Sequence, residues 1–351
     1  MPSKLKAIVC GTTFGKLYIQ AINNLLSDYQ LAGIICKGSS SSRELASLYN
    51  VPIYKSVDEL PDDIDLACVI IRSEGVGGDG TKICLELLDK KISVLQEQPV
   101  FTAHLEKCYK LALKNKVIYL TANIYSNLEN TKNFIDYARK LNRLSKLEYI
   151  SFGCSTQLSY IALDLLSMCG ISGSINFDSI LKKELGPFDI LTGNYGEVPF
   201  LLEFGNTINP KAPDYNMHTM YKFNLYYEDG LLSLNDAYGE VTWRPRSYIK
   251  PEETNKYVNK EYAYSLLSEN YCFQVGDLYE KLWVDSIEKE LLLAKEYIQT
   301  GKLNEARVNR ELGTSVRWEL LQKEAGFAKF LKENKVELLT LEDIKSEGRK
   351  A

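Results

Sequence analysis

The chain is 351 residues long, with 42 basic against 46 acidic side chains and a formal net charge of −4. That near balance leaves no electrostatic footprint for nucleic acid or an acidic membrane surface. The 45% apolar and 25% charged content is that of an ordinary globular protein with a sizeable core.

No apolar run reaches the length of a membrane span, and Met1-Pro2-Ser3-Lys4 leads straight into a strand, so neither a membrane segment nor a signal peptide is expected. Two histidines exclude a multi-histidine metal site. Eight cysteines without a CxxC pair read as reduced, buried thiols of a cytoplasmic chain, so no metal is expected. The length predicts two domains, at roughly 150 residues each.

Along residues 1–124, apolar strands alternate with helix-period segments. Strand-like runs fall at 5–10, 31–36, 66–71, 92–95 and 117–121, and helical stretches at 15–26, 43–49, 81–89 and 103–115. Such alternation predicts right-handed βαβ crossovers and a doubly wound parallel sheet of the Rossmann type. Continuous apolar strands fit a sheet covered on both faces. From 125 to 351 the rhythm changes. Helices are expected at 127–144 and 157–170 around a strand at 147–153. Strands follow at 174–182, 188–191, 198–204, 217–227 and 239–243, with turn signals such as Asp229-Gly230. Lacking intervening helices, they should pair antiparallel, giving an α+β domain with a large, mostly antiparallel open sheet. Helical periodicity returns over 276–300 and 303–324, in helices able to pack back on the first domain.

The first strand runs through Gly11-Thr12-Thr13-Phe14-Gly15 directly into a helix. A glycine turn at that point brings backbone N–H groups and a helix N-terminus to a pyrophosphate. The usual GxGxxG spacing is shortened and lacks its middle glycine. The turn therefore reads either as a cofactor cradle or as a tight strand–helix connection. After the second strand, an NAD site usually carries an acid for the ribose 2′-hydroxyl. Here the run is Lys37-Gly38-Ser39-Ser40-Ser41-Ser42-Arg43, with no acid. Hydroxyls, turn amides and a guanidinium suit a 2′-phosphate, so NADPH is expected over NADH. The same serines suit a helix start, with Ser42 as N-cap of a helix from Arg43.

Arg72 and Ser73 end the fourth strand beside a glycine-rich stretch at 75–80, where a doubly wound sheet opens its ligand crevice. The fifth strand delivers Glu97-Gln98-Pro99, and the proline holds Gln98 in extended backbone toward the nicotinamide end. The sixth brings Asn123-Ile124-Tyr125 to the same rim. Arg72, Ser73, Glu97 and Asn123 thus join the two turns as candidate cofactor contacts, and Tyr125 and Gln98 are the candidate catalytic residues. Tyr125 reads equally well as one of 23 tyrosines, half-buried at a domain seam.

These motifs resemble those of the Gfo/Idh/MocA oxidoreductases, whose sugar-oxidising members carry Glu-Lys-Pro after the fifth strand. Gln98 replaces that lysine and cannot exchange a proton near neutral pH, which argues against hydroxyl oxidation. A narrower branch is more similar: the thiazolinyl imine reductases of siderophore biosynthesis, of the yersiniabactin and pyochelin type. Their G-T-K-F-G-E-x-Y turn is matched from Gly11 to Tyr18, and their Q-G-S-A-R-S-R-E-L-A loop from Lys37 to Ala46. V-R-S followed by G-G-x-G-T is matched by Ile71-Arg72-Ser73 with Gly77 to Thr81, and I-Q-E-H-P-L by Leu95 to Val100. N-T-F-Y is matched at Asn123 and Tyr125, and S-R-Q-L-L-Y-x-x-L-D-L-L from Ser155 to Leu166. The similarity is dense to about residue 170 and thinner beyond.

The resemblance implies NADPH as cofactor and Tyr125 as general acid. It implies a thiazoline substrate reduced at C=N to a thiazolidine while tethered to the carrier protein of a separate nonribosomal peptide synthetase. Gln98 departs from the family, which has histidine there, and His104 lies in the following helix. Two alternatives are a sugar or polyol dehydrogenase and a non-catalytic, cofactor-sensing relative. A homodimer paired through tyrosine-rich strands such as 217–227 completes the expectations.

Overall fold

The computed structural model describes residues 4–73, 77–182, 186–209, 211, 217–247, 262–269, 273–331 and 339–347. The first domain contains β1 (Leu5–Cys10), α1 (Gly15–Asn24), β2 (Tyr29–Ile35), α2 (Ser40–Leu48) and β3 (Ile53–Tyr54). It continues through β4 (Leu66–Val69), α3 (Gly80–Asp89), β5 (Ser93–Glu97), α4 (Thr102–Asn115) and β6 (Tyr119–Ala122). The six strands pair in parallel in the order β3-β2-β1-β4-β5-β6. Alternate side chains of β1 serve two layers: Ala7 and Val9 join Leu17, Tyr18 and Ile22 of α1, while Ile8 and Cys10 join Leu87, Leu88 and Leu105 of α3 and α4. This double coverage is why the strands read as unbroken apolar runs. The strand order reverses between β1 and β4, which opens the crevice at their carboxyl ends.

The second part contains α5 (Glu129–Leu141), β7 (Leu147–Ser155), α6 (Ser159–Met168), β8 (Ile175–Leu181), β9 (Asp189–Tyr195) and β10 (Val198–Gly205). After β11 (Thr207–Ile208) come β12 (Tyr221–Tyr227), β13 (Gly230–Leu234), β14 (Val241–Pro245) and β15 (Ser265–Leu266). The eight-stranded sheet has the order β15-β14-β13-β12-β7-β10-β9-β8. Its covered face stacks Phe134 on Phe223 at 5.5 Å between centroids and Phe223 on Phe152 at 6.2 Å, inside one continuous core. The opposite face carries polar pairs, Lys222 with Glu203 at 2.5 Å and Ser233 with Asn224 at 2.7 Å.

The sheet is mostly antiparallel, as expected, with one parallel pair. β7 and β10 run parallel at the centre of this sheet, because α6 and the β8–β9 hairpin between them act as a crossover. The sequence pattern also passed over β13 and β3. β13 is short and buried at every position, so it shows no alternation.

The tail forms α7 (Val275–Asp277), a π-helical turn over Leu278–Leu282, α8 (Trp283–Thr300), α9 (Glu305–Ala325), β16 (Lys329–Phe330) and α10 (Leu341–Glu347). β16 pairs with β11 in a separate two-stranded sheet. α8 lies against the first domain. The Tyr29 hydroxyl donates to the Leu291 carbonyl at 2.6 Å, and Lys295 pairs with Asp28 at 2.6 Å. No helix among the described residues is long and apolar enough to cross a membrane.

Candidate functional site

The turn after β1 is shaped by its first glycine. Gly11 has φ +91°, and a Cβ there would stand 2.6 Å from the Ile70 carbonyl oxygen, so only glycine lets this turn pass so close to β4. At Gly15 a Cβ would stand 3.0 Å from Cγ1 of Val9, which keeps α1 tight on β1. Thr12 is half-buried and Thr13 exposed at the mouth between them. Gly11→Ala is therefore expected to cost about 1–3 kcal/mol of stability, the range for a side chain forced into such backbone; a urea titration of both proteins measures it.

The serine loop meets this turn. Ser42 Oγ lies 2.8 Å from Thr12 Oγ1 and 2.8 Å from Ser39 Oγ, so one hydroxyl chain joins the first and second βα connections. The helix starts earlier than the sequence suggested. Ser39 is the N-cap of α2, its hydroxyl accepting from the Ser42 amide at 3.2 Å, and Ser42 sits buried inside the first turn. Gly38 takes φ +80°, and Arg43 is exposed at the loop's outer edge. A residue distant in sequence joins them: Lys55, just after β3, places Nζ 3.4 Å from the Lys37 carbonyl oxygen. A Cβ on Gly38 would stand 2.7 Å from that ammonium. Nothing in the local sequence pattern pointed to Lys55, because the parallel β2–β3 pairing brings it there.

At the other end of the crevice, Ser73 is buried and donates to the Pro99 carbonyl at 3.0 Å, tying the ends of β4 and β5. Arg72 is exposed beside it, while 74–76 of the glycine-rich stretch lie outside the described residues. Gln98 precedes Pro99 in a cis peptide; its Nε2 donates to Thr121 Oγ1 at 2.9 Å, and its Oε1 is buried with no partner among the described residues. Glu97 is half-buried and accepts from the Tyr18 hydroxyl at 3.2 Å. Burial first, then Glu97, holds the Tyr18 phenol well above its ordinary range, so it stays a donor.

The Asn123 side chain is buried, donates to Asp164 and accepts from the Ser126 amide at 3.2 Å, so it caps the turn over Ile124–Asn127. That turn carries Tyr125, half-buried, whose ring packs edge-on against Trp283 at 4.9 Å and Tyr221 at 6.1 Å. Trp283 also meets Phe14 of the first turn at 6.2 Å and Tyr238 at 6.0 Å. This aromatic seam joins the turn after β1, the second sheet and the C-terminal helices. His104 lies on α4 with its ring 6.4 Å from that of Phe101. No group of three metal-ligating side chains occurs among the described residues.

The family model for the oxidoreductase family with an NAD-binding Rossmann fold, Gfo/Idh/MocA, matches residues 5–122. A second model, the C-terminal domain of Irp3-like thiazolinyl imine reductases, matches residues 145–244. The two matches name the same oxidoreductase family and the same narrower branch that the sequence motifs resemble. No curated protein sequence matches it.

Solved structures agree in fold at low identity. A 3-ketoreductase from Actinomadura kijaniata in complex with TDP-benzene and NADP is 10% identical, with TM-score 0.66, over 94% of this oxidoreductase and 100% of that chain. A UDP-N-acetylglucosamine 3-dehydrogenase from Acidithiobacillus ferrooxidans is 11% identical, with TM-score 0.65, over 92% and 97%. A gentamicin A biosynthesis protein in complex with NAD is 10% identical, with TM-score 0.65, over 91% and 93%.

Proposed function

We propose that this oxidoreductase is an NADPH-dependent imine reductase acting on a thiazoline presented by a separate carrier protein. The observation that carries the reading is the Irp3-like match across the substrate half, residues 145–244. Gln98, standing where sugar-oxidising relatives carry lysine, supports it from the first domain.

The residues fit a dinucleotide. The first turn is stripped of a Cβ where a cradle needs room, and Gln98 Oε1 is a buried acceptor without a partner among the described residues. When bound, NADPH supplies the hydride. The amides of 12–15 would hold the pyrophosphate, since the Gly11 amide donates to the Ile35 carbonyl at 2.9 Å, and Arg43 would take the 2′-phosphate with the hydroxyls of Ser39 and Ser40 and the ammonium of Lys55. Gln98 orients the reacting groups from the β5 end. Tyr125 donates its phenolic proton to the imine nitrogen as the adjacent carbon is reduced, so that C=N becomes CH–NH.

The test is direct: NADPH consumption with a thiazoline thioester, and a product heavier by two hydrogens on mass spectrometry. Oxidation of sugars or polyols with NAD⁺ or NADP⁺, and none of the thiazoline, would replace this reading with that of a dehydrogenase. NADPH binding with no turnover of any thiazoline would favour the cofactor-sensing role.

Lys55→Ala should weaken NADPH binding about two- to five-fold, the scale of an exposed charge pair, and leave NADH untouched; titration calorimetry with both cofactors checks it. The chain is further proposed to act in the cytoplasm and to pair as a homodimer through the uncovered sheet face, where Tyr226 and Tyr149 pack at 5.8 Å with Tyr226 40% exposed. Light scattering that gives the mass of one chain would exclude the dimer.

A further inference from the structure

α9 carries two arginines three residues apart, which places them on one helix face. Each starts a hydrogen-bond chain: one ends at Gln98, the other at the Ser126 amide in the turn that carries Tyr125. Arg307 Nη2 donates to the Thr121 carbonyl at 2.7 Å, and Thr121 Oγ1 accepts from Gln98 Nε2 at 2.9 Å. β6 is an edge strand, so this carbonyl depends on a donor from outside the sheet. Arg307 is locked in place. It is 6% exposed and bound to Glu311 Oε1 at 2.8 Å and Glu290 Oε2 at 2.9 Å. Arg310 Nε donates to Asp164 Oδ1 at 2.9 Å; Asp164 accepts from Asn123, and Asn123 closes the turn that carries Tyr125.

We propose that Arg307 and Arg310 are positioning residues, the first for Gln98 through Thr121 and the second for Tyr125 through Asp164 and Asn123. The C-terminal helices are then part of the reaction centre. Burial works against the charge on Arg307, yet Glu290 and Glu311 outweigh it and hold the guanidinium charged. Its planar fork bridges three oxygens at once, which a lysine ammonium on a flexible stem does not reproduce. The inference rests on the reading of Gln98 and Tyr125 as the residues at the reacting end.

The experiment compares Arg307→Lys, Thr121→Val, Asp164→Asn and Arg310→Lys, each alone and combined with Gln98→Leu or Tyr125→Phe. Turnover is read with NADPH and a thiazoline thioester. The Gln98 side-chain amide is followed by NMR of ¹⁵N-glutamine-labelled protein, its signal identified by loss in Gln98→Leu. Arg307→Lys and Thr121→Val should lower kcat about 10- to 100-fold, the cost of small misplacement, and both should shift the Gln98 amide. That loss should fall below about two-fold in the Gln98→Leu background and persist in Tyr125→Phe, because only coupled sites fail to add. Asp164→Asn and Arg310→Lys should show the reverse pattern and leave the Gln98 amide in place.

Thr121→Val leaves the Glu290–Arg307–Glu311 cluster intact, so the first chain is tested even if Arg307→Lys fails to fold. Equal losses in both backgrounds, or an unmoved Gln98 amide in folded Thr121→Val, overturn the proposal. The amide shift needs no imine, so it decides the first chain even if no thiazoline is reduced.

Discussion

Replacing Tyr125 with phenylalanine is expected to lower imine turnover by roughly 10²- to 10⁴-fold, the range for a positioned general acid, with NADPH binding unchanged. Asn123 caps the turn after β6, and the cap is anchored through Asp164 to α9, so the Tyr125 backbone is fixed at the carboxyl edge of the sheet. Its ring is held between Trp283 and Tyr221. A tyrosine phenol can donate its proton as negative charge grows on nitrogen. Phenylalanine preserves the edge-on ring packing and removes the hydroxyl that carries the proton, so turnover should fall in a variant that a thermal melt shows to be folded. Near-normal turnover in the variant would assign protonation to solvent.

The first domain was legible because its physics is local. Two-sided burial makes β1 a continuous apolar run, and the observed strand, Leu5–Cys10, has the bounds read from sequence. β4 ended two residues early, at Val69, because Ile70 and Ile71 are apolar yet stand beside Gly11 in the crevice wall. The serine run was legible as a polar loop, but its register was not. Ser39, not Ser42, caps the helix, a choice made by the Thr12 hydroxyl, which belongs to another turn.

What escaped the sequence is what folding brings from afar. Lys55 reaches Gly38 across a strand pairing, Trp283 reaches Phe14 from the tail, and Arg307 reaches Thr121 across 186 residues. No local periodicity or spaced motif encodes these pairings. Arg307 and Glu311 are two charges within the periodic stretch 303–324. Only the packed structure shows that they are buried against the edge of β6.

Arg43→Ala is expected to weaken NADPH binding roughly 10- to 100-fold, as the loss of one charge-assisted phosphate partner costs about 1.5–3 kcal/mol. The loop after β2 contains no carboxylate to bind a ribose 2′-hydroxyl, which leaves the enzyme nothing there with which to favour NADH. Arg43 stands exposed at its edge, and Ser39 and Ser42 hold the loop to the first turn through Thr12. Removing the guanidinium therefore deletes a ligand without loosening the loop. NADH, which lacks the phosphate, should bind the variant as it binds the parent enzyme. A collapsed loop would damage both cofactors together, so the pair of titrations separates a lost contact from a lost structure. The Lys55 ammonium beside Gly38 would retain part of the phosphate affinity, so Arg43→Ala combined with Lys55→Ala should bind the two cofactors almost alike. If the parent enzyme already binds NADH and NADPH equally, the loop is a helix cap and nothing more.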